Sequence, residues 1–243
     1  KGTDGGGLSI EKAFNLNLTD APDAPTGILL SEGTVDEGLK KGTTVGTLGA
    51  TDEDAGERHT YKLVDGTNGP LDNALFSISG TSLRTGAVFD FETKSAYTLS
   101  IEVTDSDDLT HLQEISVGVN DVNDPPTGVV VSPAEVMEGL PRDTLIGTLT
   151  ATDPDTGDTH TFRITDGADK ALFTISGNKL TTKAVLDYES KPQLEVTIEA
   201  RDSGNLVQEQ DIIVNVIDVN DPPTDITLDK DTFAENQAVG TTV

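Results

Sequence analysis

The residues with the clearest chemical potential are carboxylates that return at matching places along the chain. Seven of them lie at predicted turns and strand ends: Glu37, Asp90, Glu92, Asp124, Asp153, Asp155 and Asp202. One Asp at a turn is explained by hydrogen bonds to its local backbone. Seven like charges brought together would repel one another or raise one another's pKa unless a cation compensates. Calcium accepts about 6–8 oxygen ligands in irregular geometry, so the pattern favours a calcium site.

An internal repeat organises these carboxylates. The heptapeptide Asp-Val-Asn-Asp-Pro-Pro-Thr at 121–127 recurs at 218–224, with a weaker copy at 20–26, and other acidic motifs return in the same order. The repeat predicts four segments: the C-terminal strands of a preceding repeat at 1–23, whole repeats at 24–124 and 125–221, and the start of a following repeat at 222–243. The sequence therefore reads as two whole domains with a partial domain on each side.

The elements that must position these carboxylates are β-strands. Apolar and polar residues alternate at 97–104 and 194–200, which is typical of half-buried strands. The apolar residues Ile115, Val117 and Val119 are matched in the second repeat by the stretch 213–216. Short Val-, Ile- and Thr-rich segments separated by Gly, Asn, Asp and Pro give about seven strands per repeat. The pattern predicts an all-β chain of tandem seven-stranded sandwiches with almost no helix.

Composition limits the other functions of this chain of 243 residues. Asp and Glu total 43 against 16 Lys and Arg, and the resulting net charge of −27 would repel nucleic acid and an anionic membrane surface. The absence of Cys excludes disulfides, thiolate zinc sites and thiol nucleophiles. No apolar run approaches the roughly 18 residues that a membrane-spanning helix needs. We therefore expect no nucleic-acid partner and no membrane insertion by this segment.

Five motifs recur in the same order in both whole repeats. They are Glu37 and Glu138 near the first strand, Asp-x-Asp at 52–54 and 153–155, Asp-x-Glu at 90–92 and 187–189, Asp105 and Asp202 after the sixth strand, and Asp-x-Asn-Asp-x-Pro at 121–126 and 218–223. With these motifs the chain resembles tandem cadherin repeats of the bacterial, cadherin-like style. The resemblance implies Greek-key (Ig-like/cadherin) β-sandwiches arranged in an elongated rod.

The resemblance also implies two to three calcium ions at the central junction between the two whole repeats. Two neighbouring ions would take Glu37, Asp90, Glu92, Asp124, the carbonyl of Val122 and Asp155 as a bridging ligand, and a third would take Asn123, the carbonyl of Pro125, Asp153, Asp155 and Asp202. Asp121 is expected to order the linker backbone instead. Ligands from both sides of the linker would then fix the angle between the repeats.

The two outer junctions are incomplete, and the resemblance implies fewer ions there. The first would have Asp23, Asp52, Asp54 and Asp105, and the last would have Glu138, Asp187, Glu189, Asn220 and Asp221. Pro22 stands at the first junction where the linker motif has Asn. The loop after the second Asp-x-Asp, at 157–160, is shorter than in many family members.

The function implied is that of a calcium-binding segment of a large cell-surface or secreted adhesion protein, without enzymatic activity. Its partners would be other cadherin-like repeats of the same or another cell, in homophilic or heterophilic adhesion, or a surface polysaccharide. The alternative is a calcium-dependent carbohydrate-binding module of a secreted, polysaccharide-associated protein. The expected location is extracellular or at the cell surface.

Enzymatic interpretations fit less well. Asp-Thr-Gly at 155–157 and Asp-Ser-Gly at 202–204 imitate an aspartic-protease pair, whose catalytic loops follow apolar strands. Here the flanking residues are Pro154 and Asp158 in one copy and Arg201 and Asn205 in the other, and the first repeat has no such triplet. A glycosidase pair would need a sugar platform, whereas Trp is absent and Tyr occurs only three times. An EF-hand beginning at Asp153 would place Gly157 and Ile164 at ligand positions, so that motif fails. His59 and His160 are expected to be turn-to-strand side chains and not ligands.

Overall fold

The computed structural model of the chain describes residues 2–19, 21–64, 71–227, 232, 235, 236 and 238–240. Two compact units make up the chain, Lys1–Val122 and Asn123–Val243. Strands account for 45% of the described residues and helix for 3%. In the described residues the helix consists of two short 3-10 turns, Asn73–Leu75 and Lys170–Leu172. The prediction of an all-β chain with almost no helix is confirmed.

The first unit is a two-sheet sandwich preceded by a small hairpin. Its strands are β1 (Gly2–Thr3), β2 (Ser9–Ile10), β3 (Gly27–Leu30), β4 (Thr34–Asp36), β5 (Thr44–Thr51), β6 (Thr60–Leu63), β7 (Phe76–Ser79), β8 (Ser82–Thr85), β9 (Ala96–Thr104) and β10 (Thr110–Asn120). β1 and β2 form the hairpin. The other strands form two four-stranded sheets in the orders β4-β10-β9-β6 and β3-β5-β8-β7.

The first strand of this sandwich is divided between the two sheets. β3 pairs antiparallel with β5, whereas β4 pairs parallel with β10. Because the chain crosses between the sheets after β3, the seven predicted strands are present as eight segments. Glu37 directly follows β4, so this crossing brings Glu37 to the end of the sandwich where β10 also ends.

The second unit repeats the arrangement. Its strands are β11 (Gly128–Ser132), β12 (Glu135–Met137), β13 (Leu145–Thr152), β14 (Thr161–Asp166), β15 (Phe173–Ser176), β16 (Lys179–Thr182), β17 (Gln193–Arg201) and β18 (Val207–Ile217). The sheet orders are β12-β18-β17-β14 and β11-β13-β16-β15. Pro133, which has no backbone N–H to pair, lies where the chain leaves β11 and crosses to the other sheet.

The alternating strands fill both cores. Tyr97, Leu99, Ile101 and Val103 on β9 are buried, as are Leu194, Val196, Ile198 and Ala200 on β17. On β18, Val214 and Val216 face the core, whereas Ile213 is exposed. The apolar run that begins at Ile212 interrupts the alternation, so the sequence alone does not identify the inward face there.

A buried carboxylate on β17 forms an ion pair with two hydrogen bonds to one arginine in the second unit. Glu199 is only 3% exposed, and its two oxygens accept from Nε and Nη2 of Arg163 at 2.8 and 2.6 Å. Arg201 adds a longer contact at 3.3 Å. Hydrogen bonding and charge from Arg163 lower the pKa of Glu199 below its usual value. The pair therefore ties the edge strand β14 to β17.

We expect Glu199→Gln to lower the free energy of unfolding at pH 7 by about 1–3 kcal/mol, because the charge-assisted hydrogen bonds are weakened. The lowered pKa means that the charged form stabilises the fold above the ordinary Glu pKa, and that this stabilisation is lost as the pH falls through the folded-state pKa. The difference between the native chain and the variant should therefore shrink below about pH 4. Urea unfolding in EDTA at several pH values measures it.

Glu195→Gln is the matched control, because Glu195 lies exposed on the same strand. It should leave the unfolding free energy nearly unchanged. A difference between Glu199→Gln and the native chain that does not vary with pH would contradict the electrostatic explanation.

The amino-terminal hairpin contains the same acidic turn as the whole repeats. Asp4 Oδ1 accepts from the backbone N–H groups of Gly6 and Leu8 at 3.0 and 2.9 Å, just as Asp105 Oδ1 accepts from those of Asp107 and Leu109, both at 2.9 Å. This likeness supports the proposal that residues 1–23 end a preceding repeat. The boundaries at 23/24, 124/125 and 221/222 stay predictions. Asp20 and much of the segment after 227 lie outside the described residues.

Candidate metal centre

Glu37 is a buried carboxylate that ties three chain segments together in the first unit. It is 8% exposed, and it follows β4. Its Oε2 accepts the N–H of Phe91 at 2.7 Å, and its Oε1 accepts the N–H of Val122 at 2.8 Å. Phe91 is the middle residue of the Asp-x-Glu motif, and Val122 belongs to the linker motif. Two of the predicted motifs are therefore held against the Glu of the first strand.

A carboxylate cluster surrounds Glu37. One oxygen each of Glu37, Glu92 and Asp121 lies within 4.8 Å of the others. Asp121 was predicted only to order the linker backbone, so its carboxylate is a missed member of this group. Asp90 makes different contacts: it accepts from the N–H and the hydroxyl of Thr93 at 3.0 and 2.9 Å, and these bonds lower its pKa. Asp90 therefore orders the turn that presents Glu92.

The second unit builds the same cluster. Glu138, 6% exposed, accepts from the N–H groups of Val219 and Tyr188, both at 2.7 Å, and these bonds lower its pKa. One oxygen each of Glu138, Glu189 and Asp218 lies within 4.8 Å of the others. Asp187 repeats the turn of Asp90: it accepts from the N–H and the hydroxyl of Ser190 at 3.1 and 2.9 Å. The geometry thus recurs with the motif.

Like charges act on one another in this second cluster. The backbone N–H of Glu189 favours its charged form, but desolvation and the charges of Glu138, Asp221 and Asp218 raise its pKa above the usual value. A raised pKa caused by neighbouring carboxylates is what a bound cation would relieve. Asn220 and Asp221, the remaining predicted ligands of this junction, are exposed, and the Asn220 amide donates to the carbonyl of Asp221 at 3.3 Å.

The other predicted ligands of the central junction gather at the amino-terminal end of the second unit. Asp155 Oδ2 accepts the N–H of Asp124 at 2.8 Å, and Asp153 Oδ1 accepts the N–H of Asp155 at 3.0 Å. The amide of Asn123 donates to Oδ2 of the buried Asp202 at 2.9 Å. Five of the six predicted ligands in this unit therefore form one bonded group. The sixth, Pro125, is exposed beside it.

Gly204 is needed for the approach of Asn123 to Asp202. A Cβ atom placed on Gly204 would overlap the side-chain amide of Asn123. The first unit has Asp107 in the corresponding turn and Pro22 at the linker position of Asn123. The turn therefore has Gly in the unit whose linker has Asn, and a larger residue in the unit whose linker has Pro.

The first unit repeats the acidic group without the linker Asn. Asp54 Oδ2 accepts the N–H of Asp23 at 2.7 Å, and Asp52 Oδ1 accepts the N–H of Asp54 at 3.1 Å. Asp105 is 6% exposed, and its Oδ2 is buried with no hydrogen-bond partner among the described residues. In the second unit the Asn123 amide contacts the equivalent oxygen of Asp202. A buried carboxylate oxygen without a donor is a suitable cation ligand.

Two carboxylates missed in the sequence lie beside these groups. One oxygen each of Asp153, Asp155 and Asp158 lies within 4.8 Å of the others, and Asp52, Glu57 and His59 also form such a cluster. Their only signal in the sequence is that positions 57 and 158 lie at the same place in the two repeats. Both residues lie in the loop that leads to β6 or β14.

The two histidines bond to the first Asp of the Asp-x-Asp motif. Nε2 of His59 lies 2.8 Å from Oδ2 of Asp52, and Nε2 of His160 lies 2.7 Å from Oδ2 of Asp153. Since a carboxylate only accepts, Nε2 carries the hydrogen in each pair. The bond from His59 lowers the pKa of Asp52. The imidazoles hold the carboxylates and do not compete for a hard cation.

The donor set fits calcium. The clusters consist of carboxylate oxygens with an Asn amide nearby, and each carboxylate retains lone pairs beside its hydrogen bonds. Thiolate ligands are excluded because the chain has no Cys. His59 and His160 each use Nε2 to bond the first Asp of the nearby Asp-x-Asp motif. A cation that prefers oxygen therefore suits these groups better than one that prefers nitrogen or sulfur.

Sequence comparison decides the family. The Cadherin domain family matches residues 31–120 and 132–217, the two sandwiches that carry the clusters. The chain belongs to the cadherin family. The resemblance inferred from five short motifs is thereby confirmed, and so are the tandem sandwich folds. Cadherin domains generally bind Ca2+, and the cadherin family and fold are those of adhesion proteins.

Individual relatives agree with this assignment. Cadherin-12 of Homo sapiens is 30% identical over 265 residues, which cover 97% of this cadherin chain and 32% of the relative. Protocadherin Fat 4 of Mus musculus is 33% identical over 205 residues, 79% of this chain and 4% of the relative. The solved Protocadherin GammaB4 extracellular domain has a TM-score of 0.57 and 29% identity, covering 84% of this chain and 34% of that chain.

The cadherin relatives also distinguish between the two predicted functions, a cadherin-like segment and a carbohydrate-binding module. This cadherin chain spans about a third of the length of the first curated relatives. The prediction of an extracellular or cell-surface cadherin-like segment is confirmed. The related proteins give no support to the carbohydrate-binding module or to a polysaccharide partner. Within the described residues, no helix has the length and apolar character required to cross a bilayer.

Proposed function

We propose that this cadherin segment is a non-enzymatic, calcium-dependent adhesion module in which bound calcium sets the angle between successive repeats. The observation that carries the proposal is the division of the predicted ligands of the central junction. The Glu37 cluster forms within the first unit, and the Asn123 group forms within the second. The peptide bond from Val122 to Asn123 joins the two groups, so ions shared by both would restrain the linker.

The proposed ligands follow this division. Two neighbouring ions take Glu37, Asp90, Glu92, Asp124 and the carbonyl of Val122, with Asp155 as a bridging ligand. A third ion takes Asn123, the carbonyl of Pro125, Asp153, Asp155 and Asp202. Support comes from the oxygens of Glu37 and Glu92, and of Asp153 and Asp155, which lie within 4.8 Å of each other in each pair. The bond of Asp155 to the backbone of Asp124 adds to this support. Asp121 adds its negative charge to the first group.

The outer junctions carry partial versions of this site. At the first, Asp23, Asp52, Asp54 and Asp105 supply the group that the second unit builds with Asp124, Asp153, Asp155 and Asp202. At the last, Glu138, Asp187, Glu189, Asn220 and Asp221 supply the counterpart of the Glu37 cluster. Each has the ligands of one side only, so we propose fewer ions there than the two to three at the central junction.

The mechanism follows from the position of the ligands. Bound calcium neutralises carboxylates that would otherwise repel one another across the linker. Glu37 and Asp155 each hold a linker residue by its N–H group, at Val122 and Asp124. The linker is thus held from the two sides independently, and shared ions would connect these two attachments. The repeats would then form a stiff, elongated rod that presents its surfaces to other cadherin repeats of the same or another cell.

Calcium titration calorimetry of the whole chain tests the proposal. We expect a saturable heat with a stoichiometry of at least two ions, because the central junction has ligands for two to three. Magnesium should give a much smaller heat at the same concentration, since it requires a regular octahedron and loses its water reluctantly. No saturable heat up to millimolar calcium would contradict the proposal.

A further inference from the structure

The loop after each Asp-x-Asp motif carries a carboxylate that no predicted ligand set includes. Asp158 lies in the second unit, and Glu57 lies at the same place in the first. The two residues differ in length by one methylene but keep the same charge. Each lies between the Asp-x-Asp motif and the histidine that bonds to that motif's first Asp.

In the second unit the loop holds Asp158 against the predicted ligands. One of its oxygens lies within 4.8 Å of oxygens of both Asp153 and Asp155. The N–H of Thr159 donates to its Oδ1, and hydrogen bonding from Ser203 is the main cause of its lowered pKa. Ser203 directly follows the buried ligand Asp202. Oδ2 of Asp158 is buried and has no hydrogen-bond partner among the described residues.

In the first unit Glu57 shows the same features. One of its oxygens lies within 4.8 Å of the Asp52 and His59 ligand atoms. Oε2 is buried without a partner in the described part of the chain. Burial raises the pKa of Glu57, and the charge of Asp105 adds to the increase. Asp105 is a second, independent sign of a cation, because it is 6% exposed and its own Oδ2 is also buried without a partner.

Loop stabilisation accounts for only part of this arrangement. A carboxylate that merely capped the loop would bond to its donors and leave its other oxygen in water. Here the second oxygen is buried in both units without a donor among the described residues, which is costly for a polar group. At Glu57, burial and the charge of Asp105 also raise the pKa, which a positive charge would relieve. The nearby imidazole makes no hydrogen bond to this oxygen, because its Nε2 is bonded to Asp52 or Asp153, and the charge of His160 is the smallest of the causes that act on the pKa of Asp158. A cation in contact with oxygens is the arrangement that satisfies all of these groups.

We infer that Asp158 and Glu57 are additional calcium ligands, each supplying a carboxylate oxygen from the short loop after Asp-x-Asp. Asp158 completes the shell of the third ion with Asp153, Asp155 and Asp202, and Glu57 does the same with Asp52, Asp54 and Asp105. This inference rests on the proposed calcium function of the junctions. It explains how a loop of only a few residues reaches the ion: a side chain provides the oxygen.

The test is Asp158→Asn in the whole chain, measured by calcium calorimetry and by thermal melting in calcium and in EDTA. Asn keeps the size and can still accept from Thr159 and Ser203, but it removes the charge. We expect Asp158→Asn to lower the calcium affinity of the weakest site at the central junction by about tenfold or more. In EDTA the melting temperature should fall by less than it falls in calcium, because only the bonds from Thr159 and Ser203 that lower the pKa of Asp158 are weakened there. A residue that only capped the loop would change both melts by the same amount.

Asp143→Asn is the matched control. Asp143 is an exposed Asp at positive φ, a conformation that Asn tolerates, and it lies in none of the clusters. It should leave calcium affinity unchanged. Glu57→Gln is the second variant, and it should weaken calcium binding by the first unit in the same way.

The outcomes separate the inference from the proposed function. If the native chain gives no saturable calcium heat, the proposed function fails and the inference fails with it. If the native chain saturates and Asp158→Asn and Glu57→Gln both titrate like it, the inference alone is overturned. A folded Asp158→Asn protein whose melting temperature falls less in EDTA than in calcium, and which has lost the weakest calcium site, supports it.

Discussion

In millimolar calcium the chain is expected to scatter X-rays as a longer and stiffer particle than it does in EDTA. Without calcium, the carboxylates on the two sides of the Val122–Asn123 bond repel one another, and the linker is expected to act as a hinge. The maximum dimension from small-angle scattering should therefore decrease in EDTA, and the distribution of distances should broaden.

The melting temperature should also be lower in EDTA than in calcium. Saturation at about one hundred times the dissociation constant stabilises the folded state by about 2.7 kcal/mol for each site. A change of about 1 kcal/mol moves the melting temperature of a small domain by about 4–8 °C, so each calcium site that is emptied should lower it by about 10–20 °C. Scanning calorimetry in calcium and in EDTA measures this difference.

Ionic strength is the necessary control for both measurements. A chain with a net charge of −27 is stabilised by any salt that screens self-repulsion. The EDTA sample should therefore contain enough sodium chloride to match the ionic strength, and a magnesium sample should also be measured. Equal shape and equal melting in calcium, magnesium and matched salt would show that the carboxylates are only solvated.

Asp155→Ala is expected to remove more than one calcium ion from the central junction. Asp155 is the proposed ligand shared between the neighbouring ions and the third ion, and its Oδ2 also holds the N–H of Asp124 in the linker. Loss of one carboxylate should therefore lower the calorimetric stoichiometry by more than one. The increase in maximum dimension on adding calcium should largely disappear.

The control for Asp155→Ala is a carboxylate that lies outside the clusters. Asp108 has no proposed ligand role, but its φ of 64° makes Ala unsuitable there, because Ala disfavours positive φ. Asn is suitable, since Asn205 occupies the corresponding turn of the second unit with a φ of 74°. Asp108→Asn should titrate like the native chain. An equal calcium stoichiometry for Asp155→Ala and Asp108→Asn would count against the ligand assignment.

Much of the fold could be predicted because its signals are local. Alternation along β9 and β17 requires one face to be buried, and the structure buries Leu99, Ile101, Val196 and Ile198 as that pattern indicates. The recurrence of the linker heptapeptide predicted two equivalent domains, and both sandwiches have the same strand order. The division of the first strand was not predicted, because no local pattern distinguishes a strand that changes sheets from one that does not.

The candidate site was predicted in part for the same reason. Recurring motifs identified Glu37, Asp153, Asp155 and Asp202, and the structure brings each into a carboxylate cluster or its bonded neighbourhood. Asp121 and Asp158 were missed because their membership depends on distances across the fold. Asp90 was assigned as a ligand by its motif, and the structure also gives it a role in the turn at Thr93.

The repeat, the all-β class, the acidic character and the motif residues of this cadherin segment could be predicted, since these depend on residue order and composition. The folded chain is needed to show which carboxylates meet, which oxygens are buried without a donor, and which histidine bonds to which Asp. Ligand geometry and burial arise where segments distant in the chain pack together. Asp105 and Glu57 show this clearly: their place in the repeat is visible in the sequence, and the unpartnered oxygens appear only when the loops close.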